Sequence, residues 1–167
     1  MADVCDVGNL GDNGKLFIKI NNNIEDNKIK KLLSEVKVIA VVGLSPKEDR
    51  PSNSVARYLK SRGYKIVPVN PGHDEILGEK SYRSLSEIPF KVDIVDIFRK
   101  PSEVLPIVEE AIKLKPKCIW LQLGIVNDNA KNLAESNGIF FVQDKCIKIE
   151  HQRLIGLNNK SYLFHNF

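Results

Sequence analysis

Two stretches of this sequence carry residue types that can do chemistry. The first is Gly43-Leu44-Ser45-Pro46-Lys47-Glu48-Asp49-Arg50-Pro51-Ser52. Gly43 lets the backbone turn sharply and approach a ligand closely. Ser45 and Ser52 supply hydroxyls, and Ser52 stands where it can cap a following helix. The start of that helix presents free N–H groups and the positive end of a dipole, which suits phosphate. Arg50 adds a planar, permanently charged fork of the kind that grips a pyrophosphate. The chemistry of this stretch is therefore anion binding. It is not a P-loop, because G-x-x-x-x-G-K-[ST] is absent, and the dinucleotide spacing G-x-G-x-x-G is absent too.

The second stretch is Cys146-Ile147-Lys148-Ile149-Glu150-His151. A cysteine paired with a histidine can form an activated nucleophile. This stretch shows neither an oxyanion hole nor an orienting acid, and neighbouring side chains in an extended tail need not converge. Cys146 is therefore read as structural, and no residue is assigned a catalytic role. His73 follows an Asn-Pro turn, within reach of a ligand at the sheet edge, and His165 lies in the tail. The three cysteines, Cys5, Cys118 and Cys146, are odd in number and widely spaced. They form neither a disulfide framework nor a zinc pattern, which points to a reducing cytoplasm and to no metal site.

These residues need a scaffold, and the hydrophobic pattern predicts one. Val38–Val42 is a continuous β-branched run, as in a strand buried on both faces. Further strands are expected over Tyr64–Val69, Val92–Phe98, Lys117–Leu123 and Ile139–Val142. Helices are expected over Ile24–Val36, Ser52–Arg62, Ser102–Leu114 and Asn127–Asn137, with Gly63 and Gly138 as stops. Alternating strands and helices imply a Rossmann-like, doubly wound parallel sheet in a three-layer α/β/α sandwich. Five strands are expected, in the order 3-2-1-4-5. Ligands on such sheets bind beyond the strand C-termini at a switch point, here expected between strands one and four. This rule selects the loops 43–54, 70–73, 98–101 and 122–127. The second strand ends in Asn70-Pro71, where an NAD site would hold Asp or Glu for the ribose 2′-hydroxyl. That disfavours NAD and favours a ligand richer in phosphate, such as coenzyme A with its pyrophosphate and 3′-phosphate.

The remainder is expected to be peripheral. Residues 1–25, rich in Gly and Asn, read as a flexible leader with one possible short strand at Lys15–Ile20. Residues 26–156 form the body and 157–167 a C-terminal tail ending in an apolar patch, Tyr162-Leu163-Phe164. At 167 residues and 43% hydrophobic content the chain suits one domain with a real core. A charge of +4 accommodates a small anion but does not argue for nucleic acid. The longest apolar run, Val38–Leu44, has seven residues, against ~20 for a membrane span. No protein partner is legible.

Several motifs together resemble one family. Val41-Val42-Gly43-Leu44-Ser45, Arg50-Pro51-Ser52, Val67-Pro68-Val69-Asn70-Pro71, Val95-Asp96-Ile97-Phe98-Arg99, Trp120-Leu121-Gln122-Leu123-Gly124 and Asp144-Lys145-Cys146-Ile147-Lys148-Ile149-Glu150-His151 occur in order and at the right spacing. They resemble the small CoA-binding-domain proteins, which are similar to the CoA-binding domain of the succinyl-CoA synthetase alpha subunit. The likeness runs from about Ile29 to Leu154. It implies that Gly43, Ser45, Arg50 and Ser52 hold the CoA diphosphate, and that Asn70 and Pro71 line the adenine and ribose end. Phe98 and Arg99 flank the nucleotide at the third-strand tip. Gln122, Leu123 and Gly124 line the way to the pantetheine arm. The synthetase's second domain, which carries its phosphorylated histidine, has no counterpart here, so a binding module for CoA or an acyl-CoA is expected. Two alternatives stand beside it: an enzyme acting on acyl-CoA through Cys146 or His151, and an NAD-type redox sensor.

Overall fold

A computed structural model describes residues 12–156. The β-branched runs form its centre. Helix α1 (Asp12–Glu35) leads into β1 (Val38–Val42), then α2 (Pro51–Ser61), β2 (Lys65–Val69), a small hairpin of β3 (Glu75–Ile76) and β4 (Glu79–Lys80), and β5 (Ile94–Ile97). Helix α3 (Val104–Lys113), β6 (Cys118–Leu121), α4 (Asp128–Ser136), β7 (Phe140–Val142) and α5 (Ile147–Leu154) complete it. Five strands form one parallel sheet, β2-β1-β5-β6-β7. One face packs against α1, α2 and α5 around Ile29, Leu59 and Trp120, and the other against α3 and α4 around Val108, Ile119 and Ala134. This is the expected Rossmann-like three-layer α/β/α architecture.

One detail of the topology corrects the expectation. Counted along the chain, the five strands lie in the order 2-1-3-4-5 rather than 3-2-1-4-5, because β5 pairs with β1 on the side away from β2. Helix α2 carries the chain outward from β1 to β2 on one face. The connection from β2 to β5, with Leu85, Ile88 and Val92 in its core, returns on the other face. The switch point therefore lies between β1 and β5, which moves the ligand crevice to the junction of Gly43 with Phe98 and Arg99.

Two further expectations are revised. Residues 15–20 are helical, inside α1, and not a strand. The helix also crosses the boundary expected at residue 25. Leu16, Ile20 and Ile24 are spaced four apart, a helical repeat, and all are exposed, so no sheet burial fixes a period of two. The segment after Cys146 is not extended but forms α5. Ile147, His151 and Leu154 repeat at helical spacing, with Ile147 and His151 buried. Arg153 fastens α5 to α1 through Asp26, with Nη1–Oδ2 at 2.8 Å and Nη2–Oδ1 at 2.6 Å. That guanidinium holds the Asp26 carboxyl below its usual range. The reading of residues 1–11 and of the tail after Gly156 falls outside the described residues. Among the described residues, no helix is long and apolar enough to cross a membrane.

Candidate functional site

The site begins where β1 ends. Gly43 adopts φ +82°, and a Cβ placed on it would stand 2.5 Å from the Phe98 carbonyl oxygen and 2.8 Å from Arg99 Cδ. The loop that follows is strapped to itself. The Ser45 amide donates to Ser52 Oγ at 3.0 Å, and the Lys47 amide donates to Ser45 Oγ at 3.2 Å. Asn53 Nδ2 donates to the Ser45 carbonyl at 2.9 Å. Asn70 Nδ2, from the end of β2, donates to the Leu44 carbonyl at 2.9 Å. Asn53 is buried beneath the loop it holds.

The helix start differs from the expected one. Arg50 occupies the cap position with extended backbone and Pro51 is the first helical residue, so Ser52 does not cap α2. The amides of Asn53 and Ser54 both donate to the Arg50 carbonyl at 3.1 Å. Pro51 has no N–H, which leaves the Ser52 amide as the first-turn donor without a hydrogen-bond partner among the described residues. Arg50 is exposed, and its guanidinium has no hydrogen bond or ion pair among the described residues. A loop of fixed shape thus offers one free amide, a helix dipole and one free guanidinium, which together suit an anion.

A crevice of about 220 Å³ opens beside Gly43, at the ends of β1 and β2. Asn70, Pro71, Arg83, Arg99 and Glu110 are among its walls. It brings together four of the residues expected at the site: Gly43, Asn70, Pro71 and Arg99. Asn70 Oδ1 accepts from the Gly72 amide at 2.9 Å, so its side chain is fully engaged in shaping the turn. Arg99 Nη2 pairs with Glu103 at 3.1 Å. Phe98 is half-buried against the core on the α1–α2–α5 face, and it is the Phe98 carbonyl that approaches Gly43. His73 is an exposed turn residue outside the crevice walls.

The third group lies at the end of β6. Gln122 is buried, and its Nε2 donates to Asp96 Oδ1 at 2.6 Å. Asp96 is fully buried, and its Oδ2 has no partner among the described residues. Burial pushes the Asp96 carboxyl up to about 7, against the lowering effect of the Gln122 hydrogen bond. Leu123 is 66% exposed, an apolar side chain displayed at the sheet edge. Gly124, at φ +81°, donates its amide to Asp144 Oδ1 at 2.7 Å.

The Cys–His stretch forms no catalytic pair among the described residues. Cys146 stands at the cap position of α5. His151 is buried on that helix, and its Nδ1 lies 2.8 Å from the Tyr58 hydroxyl. Its ring also meets Tyr58 and Tyr64 edge-on, at 5.5 and 5.7 Å between centroids. Burial, reinforced by the Arg62 charge, lowers the His151 pKa. Such a neutral imidazole packed between two phenols is a core group.

Fold and site together define a class: an open parallel α/β protein with a hydrogen-bond-locked loop at its switch point. A model of the CoA binding domain family matches residues 37–152, and the chain belongs to that family. The uncharacterized protein YneT of Bacillus subtilis (strain 168) is 40% identical over 124 residues, covering 74% of this chain and 92% of that protein. A hypothetical protein from Pyrococcus horikoshii OT3 is 42% identical and superposes with a TM-score of 0.76, covering 78% of this chain and 92% of that one. The acetate–CoA ligase (ADP-forming) of Methanocaldococcus jannaschii is 35% identical over 128 residues. That region is 71% of this chain but 18% of the ligase.

Proposed function

We propose that this chain binds coenzyme A or an acyl-CoA through the β1–α2 loop and acts as a binding module without chemistry of its own. In this reading the diphosphate lies on Gly43, Ser45, Arg50 and Ser52. The adenine and ribose end rests against Asn70 and Pro71, with Phe98 and Arg99 at the tip of β5. The pantetheine arm passes Gln122, Leu123 and Gly124. The binding unit is the part that the family model matches, residues 37–152.

The observation that carries this reading is the loop itself. Ser45, Ser52, Asn53 and Asn70 lock its shape by hydrogen bonds, while the Ser52 amide and the Arg50 guanidinium stay free of protein partners among the described residues. Membership of a CoA-binding-domain family gives the anion its chemical class. NAD fits less well, because β2 ends in an amide already committed to Leu44 and Gly72 rather than in a free carboxylate. Against acyl-CoA chemistry, His151 is occupied by Tyr58.

A thermal-shift panel tests the proposal. A ligand at ~100 times its Kd adds ~2.7 kcal/mol of stability, so CoA and acetyl-CoA raise Tm while NAD at equal concentration does not. Incubation with acetyl-CoA releases no free thiol. A Tm raised by NAD alone, or steady thiol release, contradicts the proposal.

A further inference from the structure

The crevice beside Gly43 has a further charged residue, Arg83, in its wall. Arg83 lies on the connection from β2 to β5, outside every element of the main sheet. Its position is nonetheless fixed. The Tyr82 amide donates to the Pro68 carbonyl at 3.0 Å, and the Asn70 amide donates to the Tyr82 carbonyl at 2.9 Å. Two residues on, Leu85 is buried in the core. Arg83 is thus carried on a short segment laid along the end of β2.

The guanidinium has no hydrogen bond or ion pair among the described residues. The carboxylates near it in sequence or in the crevice wall have other partners. Glu87 Oε2 accepts from the Arg83 backbone amide at 3.2 Å, and Glu110 Oε1 accepts from the Ser86 amide at 2.7 Å. Across the crevice, Arg99 uses Nη2 on Glu103, and its other guanidinium nitrogens have no partner among the described residues. A volume of about 220 Å³ is below the ~300–1,000 Å³ of sites that enclose a drug-sized ligand. This crevice suits one end of a longer molecule whose middle lies on the neighbouring loop.

We propose that Arg83, with Arg99, receives the 3′-phosphate on the ribose of the bound nucleotide, and so selects CoA over ligands that lack this phosphate. The proposal rests on the CoA reading above and adds to it a specificity residue. A phosphomonoester carries about −1.5 to −2 charge at neutral pH and three acceptor oxygens. Two guanidinium groups match that charge and geometry. A dinucleotide with a bare ribose leaves both arginines in the crevice without a ligand partner.

The test is calorimetric titration of the full chain, as wild type and as Arg83→Ala, with CoA and with dephospho-CoA at fixed salt. The wild type is expected to bind CoA roughly tenfold more tightly than dephospho-CoA, the effect of one solvent-exposed charge-assisted contact. Arg83→Ala is expected to lose most of this preference for CoA, the remainder resting on Arg99. Arg83→Gln, which keeps the side-chain length, gives the same result if charge is the cause. Equal wild-type affinity for the two ligands, or full discrimination kept by both variants, overturns the Arg83 assignment while leaving CoA binding intact. Binding of neither ligand to folded wild type overturns the CoA reading and this proposal with it.

Discussion

The Phe98 carbonyl oxygen stands 2.5 Å from the point that a Cβ on Gly43 would occupy. The ends of β1 and β5 are therefore fitted together by backbone alone at the switch point of the sheet. Gly43 is required twice over, by its φ of +82° and by this approach. Any larger residue has to push the β5 tip, with Arg99 on it, away from the loop.

Gly43→Ala is accordingly expected to lower unfolding stability by roughly 2–3 kcal/mol and to weaken CoA binding as well. Denaturant melts and titration of the same sample measure both effects. An alanine accepted without loss of stability contradicts the close fit of the two strand ends.

Arg50→Ala separates binding from folding. Arg50 is exposed at the cap position of α2 and has no protein partner among the described residues. Its removal is expected to leave Tm unchanged. A hydrogen bond to a charged group is worth ~1.5–3 kcal/mol, so CoA affinity falls roughly ten- to a hundredfold. Unchanged affinity by calorimetry assigns the diphosphate elsewhere.

Asp96 gives the fold a pH dependence with a definite sign. Its carboxyl is raised in the folded state from 3.8 to about 7, chiefly by burial. The folded chain therefore holds this proton more tightly than the unfolded chain. The contribution of Asp96 to stability is full below the unfolded value and is lost as pH rises through the folded one. Between pH 5 and pH 8 the wild type loses on the order of 2–3 kcal/mol from this group. Asp96→Asn, which cannot ionise, removes that component. Urea melts of both proteins at the two pH values check it, and parallel pH curves contradict it.

Tyr58→Phe tests whether His151 is structural. The substitution leaves the buried Nδ1 of His151 without the hydroxyl at 2.8 Å. It is expected to cost about 1–3 kcal/mol of stability and to leave CoA affinity unchanged. A loss of affinity without loss of stability assigns His151 to the site instead.

The burial of the strands was legible because Val38–Val42 and its counterparts are continuous apolar runs, covered on both faces. The glycine turn at the end of β1 was legible from its place after an apolar run, but the hydrogen bonds that lock the following loop were not. Nor was strand order. Hydrophobic period reports burial and says nothing of which strand lies beside which, so it does not distinguish β5 beyond β2 from β5 next to β1. Helix α5 was hidden by Lys148, Glu150, Gln152 and Arg153, which mask the Ile147–His151–Leu154 stripe. Asn53 is 1% exposed because it fastens a loop from below, a tertiary contact that its place in a helical period does not signal. Arg83 sits in a connection without helical or strand period, and only the bridge of Tyr82 to Val69 brings it to the crevice.

The central claim is that CoA is held on the loop between β1 and α2. Amide chemical-shift mapping of the labelled chain during a CoA titration tests it most directly. The largest shifts are expected between Gly43 and Ser52, with the Ser52 amide moving downfield as it gains a phosphate acceptor. Largest shifts confined to other parts of the sheet edge, or none at millimolar CoA in a folded sample, contradict the account.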